Sequence, residues 1–309
     1  MLGENTKKAL EGIKVADFSW IIVGPETVKF LAHHGAEVVH IESYTAIDGT
    51  RTTPPFKDDV SELNWSALFA EVNSGRYGMS LNLNHPKGVM VAKRLVAWAD
   101  IVIESFTPRR MTRWGLGGNL YKAIKPDIIM MSLPMQGSKG PDAMHPGWGI
   151  HLVGLSGFVH LAGWPDRPPV LPYGAYTDYV VPPLAAAALL AALDYRRRTG
   201  KGQYLDLSQL ECGIEVLAPS ILDYTANGRV TERMGNRCLC AAPHGVYRCR
   251  GDDRWCTIAV FTDEEWNAFC KVIGNPQWTK DPRFVTLLGR KEYEDELDKL
   301  VEEWTINFT

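Results

Sequence analysis

The sequence predicts an α/β protein in which a parallel, Rossmann-like sheet domain is joined to a second, smaller α+β domain. Through the first half of the chain, short apolar runs alternate with segments of helix length. Strands separated by helices need crossover connections, and these impose parallel pairing. The runs themselves, such as "KVADF" and "DIVIESF", hold too few polar residues for one face to lie in water, as expected of strands covered on both sides. From Cys238 onward the texture changes to short strands and acidic, aromatic helices.

The elements follow in order. "IKVADFS" from Ile13 to Ser19 reads as the first buried strand, Pro25 opens a helix that closes at Gly35, and "AEVVHIE" is the next strand. After the loop containing "TRTTPPF", a helix from Lys87 to Trp98 leads into the strand "ADIVIESF", and a shorter helix before Pro126 leads into "DIIMMSL". From Leu184 to Leu193 every residue is Leu or Ala, which predicts a helix buried on all sides and too short to span a bilayer. It ends at Arg196, Arg197 and Arg198 before Gly200, where cations complement the helix dipole. "GQYLDLS" is the last strand of the sheet, and a helix from Gln209 to Ala226 bends near Pro219. The expected boundaries are 1–208 for the sheet domain, 209–237 for a helical linker and 238–309 for the smaller domain.

Composition narrows the function. The 309 residues include 33 basic and 36 acidic side chains, a formal net charge of -3, so there is no electrostatic case for nucleic acid or an anionic membrane as partner. A small ligand is expected. The start has no apolar core of signal-peptide length, and a cytoplasmic location is the expectation that follows. All six cysteines lie from Cys212 onward. Cys238, Cys240, His244 and Cys249 are spaced C-x-C-x3-H-x4-C, which matches no standard zinc pattern, so no metal is expected and the thiols read as reduced.

In open parallel sheets, ligands bind beyond the carboxyl ends of the strands, which here means Ser19 to Val23, Glu42 and Ser43, Ser105 to Thr107, and Leu133 to Gly137. No G-x-G-x-x-G follows the first strand and no G-x-S-x-G is present, so nicotinamide and nucleophilic-serine sites are disfavoured. One acid stands out. Asp178 sits at the mouth of the Leu/Ala helix with Pro182 and Pro183 just behind it, and on spacing alone it reads as an N-cap or as a catalytic carboxylate.

Taken together, "LEGIKVADFSWIIVGPETVKFLAHHGAEVVHIES", "NSGRYGMSLNLNHPKG", "ADIVIESFTPRRMTRWGL", "KPDIIMMSLPMQGSKGP", "DYVVPPLAAAALLAALDYRRRTGKGQYLDLS" and "APHGVYRCRGDDRWCTIAV" resemble the class III CoA-transferases, the CaiB/BaiF family, over essentially the whole chain. The resemblance implies that Asp178 is the catalytic aspartate, which attacks an acyl-CoA thioester to give a mixed anhydride and then an aspartyl-CoA thioester. It further implies that CoA lies along Ile22, Val23, Leu81, Asn82, Leu83, Asn84, Ser105, Phe106, Thr107 and Arg113, with Arg51 at another basic family position. Coenzyme A then enters as the acyl-CoA substrate, with a small carboxylic acid as acceptor, and no cofactor is tightly bound. The expected assembly is an interlocked homodimer or a heteromer with a related subunit, built with a further C-terminal segment. Two family basic positions are occupied by Ser43 and Asn84, and Arg109 and Arg110 stand where small residues are usual, so the phosphate clamp is expected to differ. The alternatives are an α-methylacyl-CoA racemase, whose histidine position is Trp148 here with His151 three residues on, and a partner-dependent or non-catalytic subunit.

Overall fold

The computed structural model describes residues 7–309, which form two compact units: the chain up to Val159 together with Leu171–Val230, and His160–Val170 together with Thr231–Thr309. In the large unit, six strands pair in parallel in the order β3-β2-β1-β4-β5-β6. They are β1 (Lys14–Asp17), β2 (Glu37–Glu42), β3 (Tyr77–Ser80), β4 (Ile101–Glu104), β5 (Ile129–Ser132) and β6 (Tyr204–Asp206). The order reverses between β1 and β4, which opens a crevice at the carboxyl ends of those two strands.

Both faces of the sheet are covered. Along β4, Ile101 and Ile103 point to one side and Val102 to the other, and all are fully buried. The first side packs on the helices Val23–His33 and Thr177–Thr199 through Val28, Leu31, Val181, Ala185 and Leu189; the second packs on Pro86–Trp98 through Leu95 and Val96. Strand β3 carried no strand signal in the sequence, because "YGMS" is mostly exposed and is held by edge pairing to β2 alone.

The Leu/Ala segment departs from its expectation twice. It belongs to a 23-residue helix that is long and apolar enough, by length and composition, to cross a membrane, yet half of its apolar window is buried in the protein. Nor is it buried on all sides, since Leu184 and Leu190 are 40% and 46% exposed. At its far end Gly200 takes the left-handed conformation and its N–H bonds Arg196 O at 2.8 Å. Arg196 pairs with Asp100, beside the amino end of β4 and away from the crevice. The expected bent helix after β6 is two helices, Gln209–Val216 and Ala218–Asn227, broken at Leu217 so that Pro219 falls in a first turn that needs no amide.

The small unit pairs β7 (His244–Arg248) and β8 (Trp255–Ala259) antiparallel. Tyr247, Val260, Trp266, Phe284, Leu297 and Val301 form its core. Arg290, fully buried, organises it by donating to the Ala242 and Phe284 carbonyls and to Asp263, with its guanidinium 4.8 Å from the Trp266 ring centre.

Candidate active site

At the crevice, the loops that leave β1 and β4 are clasped together. Ser105 Oγ accepts the Trp20 N–H at 3.1 Å and donates to Trp20 O at 3.2 Å. Gly24 lets the start of the following helix close on Ser19, because a Cβ there would lie 2.2 Å from Ser19 Cβ. The next residue, Ile21, has φ +74, which costs a β-branched residue about 1–3 kcal/mol. Buried Asp48 holds it there by accepting the Ile21 N–H at 3.0 Å while also taking Thr50 N–H and Oγ1, both at 2.8 Å. The strained turn delivers Ile22 and Val23 to the start of the 23–33 helix with their side chains buried, so they present backbone amides with no intrahelical acceptor.

Beside this turn runs an aromatic slot of about 40 Å³ that includes Leu81, Asn82, Leu83, Asn84 and Phe106. Phe106 stands edge-on between Trp20 and Trp114, each ring centre 5.4 Å away. Trp114 donates Nε1–H to Asn84 Oδ1 at 2.9 Å and carries the Arg110 guanidinium 4.8 Å from its ring centre. Phe106 and Arg110 also line a second cleft of about 510 Å³, beyond β4, β5 and β6, with Glu104, Thr107, Arg109, Ser132, Lys139 and Tyr204. Burial pushes the Glu104 carboxyl up to about 7 while its Oε2 accepts the Phe106 N–H at 2.8 Å. Three cations, Arg109, Arg110 and Lys139, thus meet one buried acid that is half neutral near pH 7.

Of the residues expected to bind CoA, the structure gathers Leu81 to Asn84 with Phe106 in the slot and puts Thr107 on the second cleft. Ser105 is occupied by its clasp to Trp20. Arg113 is exposed and lines neither cavity, whereas Arg110 lines both. Arg109, which adopts φ +73 as it enters the 110–113 turn, also lines the larger cleft. Arg51 is bound to Glu42 at 2.6 Å and to Asn64 at 2.8 Å, so its charge is already matched. Of the two stacking indoles, Trp20 lies in the Ser19–Val23 stretch expected to line the ligand, whereas Trp114 carried no signal beyond being a tryptophan.

Asp178 does not cap its helix. The helix begins at Thr177, with Tyr176 in the capping position, and its opening is tight: Asp178 N–H bonds Ala175 O at 2.8 Å and Tyr179 N–H bonds Tyr176 O at 3.1 Å. Pro182 and Pro183 lie in the second turn rather than the first, where their missing N–H groups deprive the carbonyls of Asp178 and Tyr179 of helical partners. The Asp178 side chain is 4% exposed and lines neither cavity described above. Among the described residues no group donates a hydrogen bond to its carboxylate, and burial alone raises its pKa to about 7. What covers it is Gly149: a Cβ there would sit 2.5 Å from Cγ and from both oxygens, and Thr177 Oγ1 fastens this backbone by donating to Gly149 O at 3.2 Å.

The cover leads back to the crevice. Trp148, the neighbour of Gly149, lies against Gly49, whose virtual Cβ is 3.8 Å from Trp148 Cη2 and 3.1 Å from Ile21 Cδ1. Carboxylate, glycine cover, indole and strained turn therefore form one continuous chain. His151 is not part of it: its Nδ1 accepts the Trp148 N–H at 3.0 Å, and the side chain is exposed.

A family model described as CoA-transferase family III matches residues 10–309. The chain is 30% identical, over its whole length and 76% of the relative's, to succinyl-CoA–D-citramalate CoA-transferase of Chloroflexus aurantiacus. The same identity and coverage hold for the succinyl-CoA–L-malate CoA-transferase beta subunit of that organism. A crystal structure of a CaiB/BaiF family protein from Brucella suis superimposes with a TM-score of 0.89 at 33% identity, over 98% of this chain and 80% of that one. With the sheet order and these matches in agreement, the chain belongs to CoA-transferase family III and is a class III CoA-transferase.

Proposed function

We propose that the protein moves CoA from an acyl-CoA donor to a carboxylic acid through covalent intermediates on Asp178. One observation carries this reading: a nearly buried carboxylate with no hydrogen-bond donor, covered by a residue without a side chain. An unpaired carboxylate keeps its lone pairs free, and a poorly solvated one is more basic and more nucleophilic once ionised. Movement of the 148–149 backbone exposes one oxygen to the thioester carbonyl.

The Asp178 oxygen adds to that carbonyl and CoA leaves as thiolate, giving a mixed anhydride. The thiolate attacks the aspartyl carbonyl of the anhydride, the donor acid departs as carboxylate, and an aspartyl-CoA thioester remains. The acceptor carboxylate attacks this thioester and releases the thiolate, which then attacks the acceptor's acyl carbonyl and frees Asp178. No water enters and no net proton is consumed. The nucleotide end of CoA is placed over the mouth of the Trp20–Phe106–Trp114 slot, which must widen from about 40 Å³ to admit the base, while Arg109, Arg110 and Lys139 of the larger cleft face its phosphates.

Two relatives carry names that pair succinyl-CoA with a hydroxydicarboxylate acceptor, and we extend that donor and acceptor class to this chain. Because one of them is named as a beta subunit, pairing with a related subunit is favoured alongside self-association. Incubation with succinyl-CoA, trapping with hydroxylamine and peptide mass spectrometry test the mechanism. A hydroxamate at Asp178 is expected, and one at any other acid overturns it.

A further inference from the structure

In the small unit, two sulfur atoms that the acyl chemistry does not use lie side by side. Cys238 Sγ and Cys240 Sγ are 3.3 Å apart, Cys238 half-buried and Cys240 exposed. The turn that presents them is closed by bridge pairing of Cys238 with Ala241. It is anchored from the side by Lys291, whose Nζ donates to Cys238 O at 2.8 Å and pairs with Glu294 at 2.6 Å. The other thiols differ: Cys212 and Cys270 are buried, and Cys256 shares a hydrogen bond with Cys249. A metal reading gains no third ligand here, because His244 Nδ1 is engaged with Asn236 O, and among the described residues no group of three His, Cys, Asp or Glu side chains is placed to hold an ion.

We propose that Cys238 and Cys240 are a redox-active dithiol, oxidised to an intramolecular disulfide by low-molecular-weight disulfides and restored by thiols. Roles within the pair are unequal. The Cys240 backbone N–H and the shared thiol proton draw Cys238 below the ordinary thiol range, with Lys291 adding to this, and Cys240 is pushed above it by its thiol neighbour. Cys238, as thiolate, attacks one sulfur of the small disulfide and expels one thiolate, leaving a mixed disulfide. Cys240 then loses its proton to solvent, attacks the Cys238 sulfur and expels the second thiolate. Two electrons pass to the small disulfide, which takes up two protons as two thiols. The bridge needs Cα atoms about 4.4–6.8 Å apart, a spacing that residues two apart in a turn can satisfy, so closure requires mainly side-chain rotation.

The test uses the full chain, equilibrated with mixtures of reduced and oxidised glutathione, acid-quenched, alkylated and digested with trypsin. Cleavage after Arg237 and Arg248 isolates both cysteines on one peptide with no other thiol. The expected result is that this peptide loses two hydrogens and both alkylation sites at oxidising ratios, regains them at reducing ratios, and does so while Cys212 and Cys270 stay alkylated. Cys240→Ser should stop at a single glutathione adduct on Cys238. Both cysteines remaining alkylated under oxidation, two separate adducts on the wild-type peptide, or a peptide cross-linked between chains would each overturn the proposal.

Discussion

Asp17 and Asp178 are both buried acids of the large unit, and their surroundings could hardly differ more. Asp17, at the carboxyl end of β1, accepts Ser19 N–H at 2.9 Å, His40 Nδ1 at 2.8 Å and Arg76 Nη1 at 2.6 Å. Burial raises its pKa, but His40 and Arg76 outweigh burial and hold the carboxyl below its ordinary range. Asp178 has the burial and none of the partners, so its pKa moves the other way, to about 7. The contrast teaches how one protein separates structure from chemistry: a carboxylate saturated with donors is locked in place, and one left without them is available to react.

The largest effect that sharpens this contrast is on catalysis. Asp178→Asn should reduce CoA transfer by about 10⁴-fold or more, because it removes the proposed nucleophile and not merely an orienting group. Initial rates with succinyl-CoA would show it, and transfer surviving within tenfold of wild type would break the assignment. Next comes stability at the saturated acid. Arg76→Met leaves Asp17 short of a buried partner and should cost about 3–5 kcal/mol in urea unfolding, while hydroxylamine trapping at Asp178 persists in the folded fraction.

The pH dependence separates the two acids by sign. The folded pKa of Asp178 is raised, so the native state holds a proton that the unfolded chain has released between about pH 4 and about pH 7. Stability from this group is therefore present at low pH and is lost as pH rises through that window; above about pH 7 the full penalty applies. Asp178→Asn removes the penalty and should stabilise the protein at pH 8 by up to about 4 kcal/mol in order of magnitude, even as it abolishes transfer. Glu104, also raised to about 7, contributes with the same sign, so adding Glu104→Gln should flatten the dependence further. Asp17 behaves oppositely, since its lowered pKa gives stability that is present above about pH 4 and lost on acidification through its folded pKa. A thermal unfolding series from pH 2 to 8 checks both signs, Asp17 below about pH 4 and Asp178 above it, and transfer by the wild type should rise through about pH 7 as Asp178 ionises.

Much of this architecture was legible in the residues. Alternating apolar runs and crossover helices placed five of the six sheet strands, and the missed one, β3, is an edge strand whose side chains mostly face solvent. The site was only half legible. Position 178 could be singled out because an acid stands beside a Leu/Ala run, but its spacing suggested a cap, and only tertiary packing shows that its carboxylate has no donor and lies under Gly149. Nor does local sequence disclose that Ile21 is held in a strained conformation by Asp48, a residue 27 positions away.

The smallest expected effect carries the same contrast from acids to arginines. Arg51 is the saturated case, bound to Glu42 through three hydrogen bonds of 2.6 to 3.1 Å and stacked 3.6 Å from the Phe69 ring centre. Arg110 makes no ion pair among the described residues, rests on Trp114, and faces both cavities. If free charge marks function here as proposed for the unpaired Asp178, Arg110→Ala should raise the KM for acyl-CoA by about 3- to 10-fold with little change in kcat, the cost of one solvent-screened phosphate contact. Arg113→Ala, whose side chain lines neither cavity, should leave KM within twofold, an effect of less than about 0.5 kcal/mol. Steady-state kinetics at two salt concentrations decide the matter, because a phosphate contact weakens with ionic strength. The reverse ranking of the two variants would place the nucleotide phosphates on the other side of the 110–113 turn.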